Sequence, residues 1–285
     1  MKTLIAVVNY PKQSKDFIEY VAAMAIDLKK QVHLVHIEDP VNYPLGIPGS
    51  TGAGVVQVRE SLIRNSKEVE ETLGILVNRV KKDIAEELSI EYTAHVGSVS
   101  VFFDKLIDSK NADMIVIEGK GAQDFWTQTP TNMEIIENTN LPVWIIPLSQ
   151  KYESFKEIVY ATDYVKEDLE TIKKLVRLTN NYLPRITALH ITDNADFEEK
   201  IKKTGFQEKV KTETNYDNLS VKLLNKKDKT NIPDLISNYA SNNKANLIVV
   251  LKENASFLRE LFTTNQTKRI IEKSKVPVLV YHEAH

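Results

Sequence analysis

The sequence predicts an α/β fold made of two tandem copies of one domain, each a five-stranded parallel sheet covered by helices. Apolar runs alternate with segments of helical periodicity along the chain, which is typical of a parallel sheet covered by helices on both faces. The pattern also occurs twice. One strand that begins at Ala112 and another that begins at Leu141-Pro142 have counterparts at Ala245 and at Val276-Pro277. The offsets are 133 and 135 residues. A spacing so nearly constant indicates an internal repeat, and we expect the halves to pack as an intramolecular pseudo-dimer.

The first half supplies a complete alternation of strands and helices. Its strands are continuous apolar runs, which favour burial on both faces of a sheet. The predicted elements, in order, are strand 3–8, helix 15–30, strand 32–37, helix 55–88, strand 89–96, helix 98–110, strand 112–117, a short helix, and strand 141–147. A glycine-rich loop, Gly46–Gly54, precedes the long second helix.

The second half repeats this plan after a short polar linker. Its predicted elements are strand 158–162, helix 167–182, strand 185–192, helix 195–214, strand 219–224, helix 232–242, strand 245–250, a short helix, and strand 276–282. We therefore expect two domains, 1–148 and 153–285.

Composition excludes several classes of protein. The 285 residues carry a net charge of −2, so nothing indicates general affinity for nucleic acid or for an anionic membrane. The absence of cysteine excludes disulfides, thiolate catalysis and thiolate-bound metal. No apolar run approaches the roughly 18–20 residues that span a bilayer, and the first strand, from Thr3, leaves no room for a signal peptide. We expect a cytoplasmic protein.

Several strands resemble those of the universal stress protein family in its tandem form. The strand Ile158–Asp163 ends in aspartate like the family's first strand, and Val35–Ile37 and Leu189–Ile191 resemble its second. The resemblance implies a Rossmann-like sheet of the adenine nucleotide alpha hydrolase-like type. It also implies pairing through the last strands, Val143–Ile146 with Val278–Tyr281, and a possible homo-oligomer.

The resemblance further implies where ATP, the possible cofactor, would bind. The candidate residues are Asn9, Ile37, Gly119, Gly121, Thr131, Asp163 and Ile191. The family's ATP-binding members have a glycine signature after the fourth strand, where backbone amides reach the phosphates. In the first half only one residue separates Gly119 from Gly121, and in the second the signature begins on Leu251. Neither half holds a complete set. Asp163 has two interpretations: nucleotide contact, or capping of the next helix.

No spacing indicates a catalytic triad, paired catalytic carboxylates or a metal cluster. The leading hypothesis is a non-enzymatic stress-response protein with degenerate nucleotide sites, acting through protein partners that the sequence does not identify. One alternative is an ATP-binding switch with slow hydrolysis that uses the first-half site. Another is a carrier of a small apolar ligand, gated by the loop Gly46–Gly54.

Overall fold

A computed structural model describes residues 1–38, 52–84, 87–119, 130–147, 150–226, 232–252 and 276–282. These residues form two compact units that divide between Tyr152 and Glu153. Each unit repeats the alternation of strands and helices that the sequence predicts, so the α/β fold class is confirmed.

Unit 1 is a five-stranded parallel sheet with the strand order β3-β2-β1-β4-β5. Its elements are β1 (Thr3–Val7), α1 (Lys15–Asp27), β2 (Gln31–Glu38), α2 (Gly52–Asp83), β3 (Ile90–Val96), α3 (Val99–Lys110), β4 (Ala112–Glu118), α4 (Pro130–Asn138) and β5 (Val143–Ile146). The sheet's order changes direction between β1 and β4, since β1 pairs with β2 on one side and with β4 on the other.

Unit 2 has the corresponding parallel order β8-β7-β6-β9-β10. Its described elements are β6 (Glu157–Ala161), α5 (Lys166–Thr179), β7 (Arg185–Thr192), α6 (Phe197–Thr214), β8 (Leu219–Asn225), α7 (Ile232–Asn242), β9 (Leu247–Leu251) and β10 (Val278–Tyr281). The short helix predicted before β10 lies outside the described residues.

The strands form the core of each unit. Every residue of β1, β5, β9 and β10 is buried. Trp144 in β5 and Tyr160 in β6 are the largest of the fully buried side chains. Removing such runs from water is the main favourable term in folding, which explains why continuous apolar stretches located these strands correctly.

Several predicted helix boundaries differ from the structure. Helix α1 ends at Asp27 instead of Lys30, and helix α5 covers Lys166–Thr179 instead of 167–182. Helix α6 begins at Phe197 rather than Ala195, because the Asp196 side chain accepts a hydrogen bond from the Glu199 amide and so caps the helix. Helix α2 covers Gly52–Asp83 instead of 55–88 and so takes in the last residues of the glycine-rich loop. The rest of that loop, Gly46–Thr51, lies outside the described residues.

Candidate functional site

The candidate site in each unit lies where the first strand ends, next to the end of the fourth strand. In open parallel sheets, ligands bind beyond the carboxyl ends of the strands at the point where strand order changes direction. That point is between β1 and β4 in unit 1 and between β6 and β9 in unit 2. The turn after the first strand carries Asn9 in unit 1 and Asp163 in unit 2.

A buried carboxylate holds this turn in unit 1. Glu118, the last residue of β4, is completely buried. Its Oε2 accepts hydrogen bonds from the Asn9 amide (2.9 Å), the Tyr10 amide (3.2 Å) and the Ser14 hydroxyl (2.7 Å). Burial raises the pKa of Glu118, while these three donors favour its charged form and oppose that shift. Its Oε1 is buried and has no hydrogen-bond partner among the described residues.

The Asn9 side chain is also occupied within the protein. Its Nδ2 donates to the Glu118 carbonyl (2.7 Å) and to Asn132 Oδ1 (3.2 Å). Asn132, buried in α4, donates in turn to the same carbonyl (3.2 Å). Asn9 therefore links β1, β4 and α4, and these contacts use the amide hydrogens that a ligand would need.

A different buried carboxylate holds the turn in unit 2. Asp168, in the first turn of α5, is completely buried. Its Oδ2 accepts hydrogen bonds from the amides of Asp163 (2.9 Å) and Val165 (3.2 Å) and from the Thr162 hydroxyl (2.8 Å). Its Oδ1 accepts a fourth, from the Tyr160 hydroxyl (2.7 Å). Burial and the adjacent Asp168 raise the pKa of Tyr160.

The two carboxylates contact the same point of the repeat. Asn9 and Asp163 are separated by 154 residues, and so are Ser14 and Asp168. In both units, the backbone amide of the first of these positions donates to a buried carboxylate at 2.9 Å. The acceptor comes from β4 in unit 1 and from α5 in unit 2.

The ends of the fourth strands, β4 and β9, also carry different residues at the same repeat position. The Gly119 amide donates to the Ile146 carbonyl (2.9 Å), and the Lys252 amide donates to the Tyr281 carbonyl (2.8 Å). Gly119 therefore corresponds to Lys252, and Glu118 corresponds to Leu251. Unit 1 pairs Ser14 with Glu118, whereas unit 2 has Asp168 and Leu251 at the same two positions. The residue at the first signature position of unit 1 is thus Glu118, one residue before Gly119.

Asp163 keeps its own carboxylate available. The side chain is 50% exposed, and its Oδ1 lies 3.5 Å from His190 Nδ1. Its pKa is raised mainly by partial burial; His190 opposes the shift and Asp168 adds to it. Asp168, not Asp163, makes the hydrogen bonds at the start of α5, so the capping interpretation of Asp163 loses its basis.

The second strands carry histidines with matching contacts. His36 Nδ1 donates to the Val8 carbonyl, and His190 Nδ1 donates to the Thr162 carbonyl, both at 2.7 Å. The Nε2 atoms face carboxylates, Glu38 at 3.6 Å and Glu199 at 3.4 Å. Both imidazoles thus join the first two strands of their unit.

The remaining predicted residues are dispersed around these turns. Ile37 is buried near the end of β2, and Ile191 is partly exposed near the end of β7. Gly119 follows β4 and continues its pairing with β5. Thr131 lies in the first turn of α4, and Gly121 lies outside the described residues.

Tyr164 is a further site residue, which the sequence did not reveal. Its backbone is left-handed, with φ of 63°, and its ring lies 4.3 Å from the His190 ring and 5.1 Å from Phe206. Burial raises the pKa of its hydroxyl to about 12. Nothing in the local sequence indicates this conformation, which is unusual for a residue other than glycine, asparagine or aspartate.

Within the described ranges, no group of histidine and carboxylate side chains could hold a metal ion, and no helix is long and apolar enough to cross a membrane. A pocket of about 260 Å³ lies in unit 1 between the turn Tyr10–Gln13 and the α2 residues Asn65, Glu68, Val69 and Thr72.

Comparison with known proteins identifies the family of unit 2. Residues 154–282 match the universal stress protein family. Unit 2 belongs to the universal stress protein family. The family predicted from the strand motifs is therefore confirmed, and the family match begins one residue after the point where the structure separates the two units.

Solved structures extend the likeness in fold to the whole chain. A universal stress protein from Archaeoglobus fulgidus DSM 4304 matches with a TM-score of 0.61 and 14% identity, covering 99% of this chain and 96% of its own. A candidate universal stress protein from Pseudomonas aeruginosa UCBPP-PA14 matches with a TM-score of 0.60 and 11% identity, covering 99% and 93%. No curated protein matches the sequence. Unit 1 thus shares the fold seen across these universal stress proteins.

Proposed function

We propose that this protein is a cytoplasmic stress-response regulator whose strand-end sites are degenerate and do not hold nucleotide phosphates. It would act through protein partners and would not turn over ATP. The observation that carries this proposal is the buried Glu118 carboxylate at the end of β4, where a glycine backbone would have to approach a phosphate.

Charge and hydrogen bonding both oppose a phosphate in unit 1. Two unit charges of like sign 4 Å apart repel by about 4 kcal/mol at the effective dielectric constant of a protein surface. An anion at the turn after β1 would also need free amide donors, but Glu118 already uses the amides of Asn9 and Tyr10. Glu118 also has a side chain where close approach of the backbone requires none.

Unit 2 supports a second candidate, an ATP-binding switch. The observation in its favour is Asp163, whose half-exposed carboxylate lies where the family resemblance places a nucleotide contact. Leu251 at the end of β9 offers no charge that repels a phosphate, although it also has a side chain where the signature has glycine. If a nucleotide binds, we therefore expect it in unit 2 and not in unit 1, where the sequence favoured it.

Calorimetric titration of the full chain with ATP and Mg²⁺ tests both candidates, together with an assay for phosphate release. The leading proposal predicts no binding heat at micromolar ATP and no release above background. Binding that disappears in Asp163→Asn would replace it with the switch in unit 2. Binding that persists in Asp163→Asn and disappears in a Gly119→Val variant would place the nucleotide in unit 1 and contradict both.

A further inference from the structure

We propose that the turn after the first strand of each unit is an anion site of carboxylate specificity, and that Glu118 and Asp168 are its two built-in occupants. This inference does not rest on the proposed function, because the donors of the site are present whether or not a nucleotide binds elsewhere. Its ligand class is a small carboxylate, and the occupant in each unit is a carboxylate from the chain itself.

Convergent donors define the site in unit 1. Two backbone amides and one hydroxyl, from Asn9, Tyr10 and Ser14, all point at one oxygen atom of Glu118, at 2.9, 3.2 and 2.7 Å. Successive amides aimed at one point form an anion-binding concavity. Hydrogen bonds to an ionised acceptor are about twice as strong as neutral ones.

In unit 2, one oxygen of the carboxylate meets the same number and type of donors as Glu118 Oε2, and the other oxygen accepts a fourth hydrogen bond, from Tyr160. The amides of Asp163 and Val165 and the hydroxyl of Thr162 converge on Asp168 Oδ2 at 2.9, 3.2 and 2.8 Å. The first amide occupies the same repeat position as that of Asn9, while the other donors differ in position. Donor geometry therefore recurs even where donor residues do not.

The change of occupant is the strongest argument that the donors define the site. If Glu118 were only a local structural residue, unit 2 would need a carboxylate at Leu251, where it has none. Unit 2 instead provides a carboxylate at the position of Ser14. The anion is thus supplied once per unit at this turn, from either of two elements, to the same first amide.

The unpaired oxygen of Glu118 indicates that a free carboxylate could take the place of this side chain in a truncated variant. Oε1 is buried without a hydrogen-bond partner among the described residues, so only Oε2 binds the donors. Truncation to alanine removes one methylene and the carboxylate, which together have about the size of acetate. We expect acetate to occupy the resulting cavity and to restore the three hydrogen bonds.

The experiment is rescue of Glu118→Ala by acetate, followed as the thermal unfolding midpoint of the full chain. At ten times its dissociation constant, acetate should shift the folding equilibrium of Glu118→Ala about ten-fold and raise its Tm by about 2–4 °C. Wild type, with the site filled, should not respond beyond the effect of sodium chloride at the same ionic strength.

Asp113→Ala is the matched control. It removes a carboxylate from the same strand, but one that pairs with Lys30 at 2.6 Å and is 37% exposed. Acetate should not raise its Tm. Equal shifts in both variants, or no shift in Glu118→Ala, would overturn the proposal.

A refolding measurement keeps the test decisive if Glu118→Ala is too unstable to purify folded. The variant is refolded from urea with acetate or with sodium chloride, and the folded fraction is measured. A several-fold higher yield in acetate, with phosphate less effective because it is larger than the vacated space, supports the site. Equal yields in acetate and sodium chloride refute it.

Discussion

Moving the carboxylate of unit 1 to the position that unit 2 uses should largely preserve stability, although each change alone should be severe. The double variant Ser14→Asp with Glu118→Leu gives unit 1 the residue pair found at Asp168 and Leu251. If the anion, and not a particular residue, is what the turn requires, the two substitutions should compensate for each other.

The structure allows the single-variant costs to be worked out. Glu118→Leu leaves two amides and a hydroxyl without their acceptor, and each buried unpaired donor costs about 1–3 kcal/mol. Release of the buried charge offsets part of this, so we expect a net loss of about 3 kcal/mol, at the low end of the range for breaking a buried ionic contact. Ser14→Asp places a second carboxylate where the hydroxyl lies 2.7 Å from Glu118 Oε2, and at the resulting separation the repulsion costs about 4 kcal/mol.

Additive behaviour would therefore cost about 7 kcal/mol in the double variant, whereas compensation should leave a loss of about 2 kcal/mol. The coupling energy of about 5 kcal/mol exceeds the 0.5–3 kcal/mol usual for residues in contact. Urea unfolding of all four proteins measures it. Trp144 is buried in β5, so its fluorescence in a Trp126→Phe background reports on unit 1.

The reciprocal double-mutant cycle in unit 2, Asp168→Ser with Leu251→Glu, is the control. It moves the carboxylate from α5 to the end of β9, the position that unit 1 uses. Free energies that add within about 0.5 kcal/mol in unit 1 would refute the reasoning, because distant or independent sites add to that accuracy. They would mean that Glu118 and Ser14 do not serve one shared site.

The pKa of Glu118 is raised in the folded state, so its protonation contributes stability that is present below the ordinary pKa of 4.5 and is lost as pH rises through the raised value. The Glu118→Gln variant should not lose stability in this pH range. Urea unfolding of both proteins at several pH values measures the difference. Tyr164→Phe removes a buried hydroxyl without a hydrogen-bond partner in the described part of the chain and should raise stability by about 1 kcal/mol, whereas a fall in the urea midpoint would show that the hydroxyl is satisfied. The family resemblance implies that the closing strands pair, so we expect one cysteine placed in Val143–Ile146 and another in Val278–Tyr281 to form an intramolecular disulfide in this cysteine-free chain. Non-reducing electrophoresis detects it, and failure to form it at every tested pair of positions would contradict the expected pairing.

The sequence by itself determined the fold class, the repeat and the order of the elements. These depend on the spacing of apolar residues along the chain, and burial of strands on both faces leaves an uninterrupted apolar run that can be seen without a structure. The strand motifs were sufficient to name the family, which the match over residues 154–282 confirms. Helix ends were less certain, because the cap of α6 depends on one side-chain hydrogen bond from Asp196.

Only the tertiary structure decided what occupies the candidate site. The sequence placed Asn9 and Asp163 at the ends of their strands, but the contacts of Asn9 with Glu118 cross 109 residues of chain. The signal was present in the repeat, since its offsets pair Ser14 with Asp168 and Glu118 with Leu251. It could not be interpreted from the sequence, because periodicity shows which residues are buried and does not show which buried carboxylate meets which backbone amide.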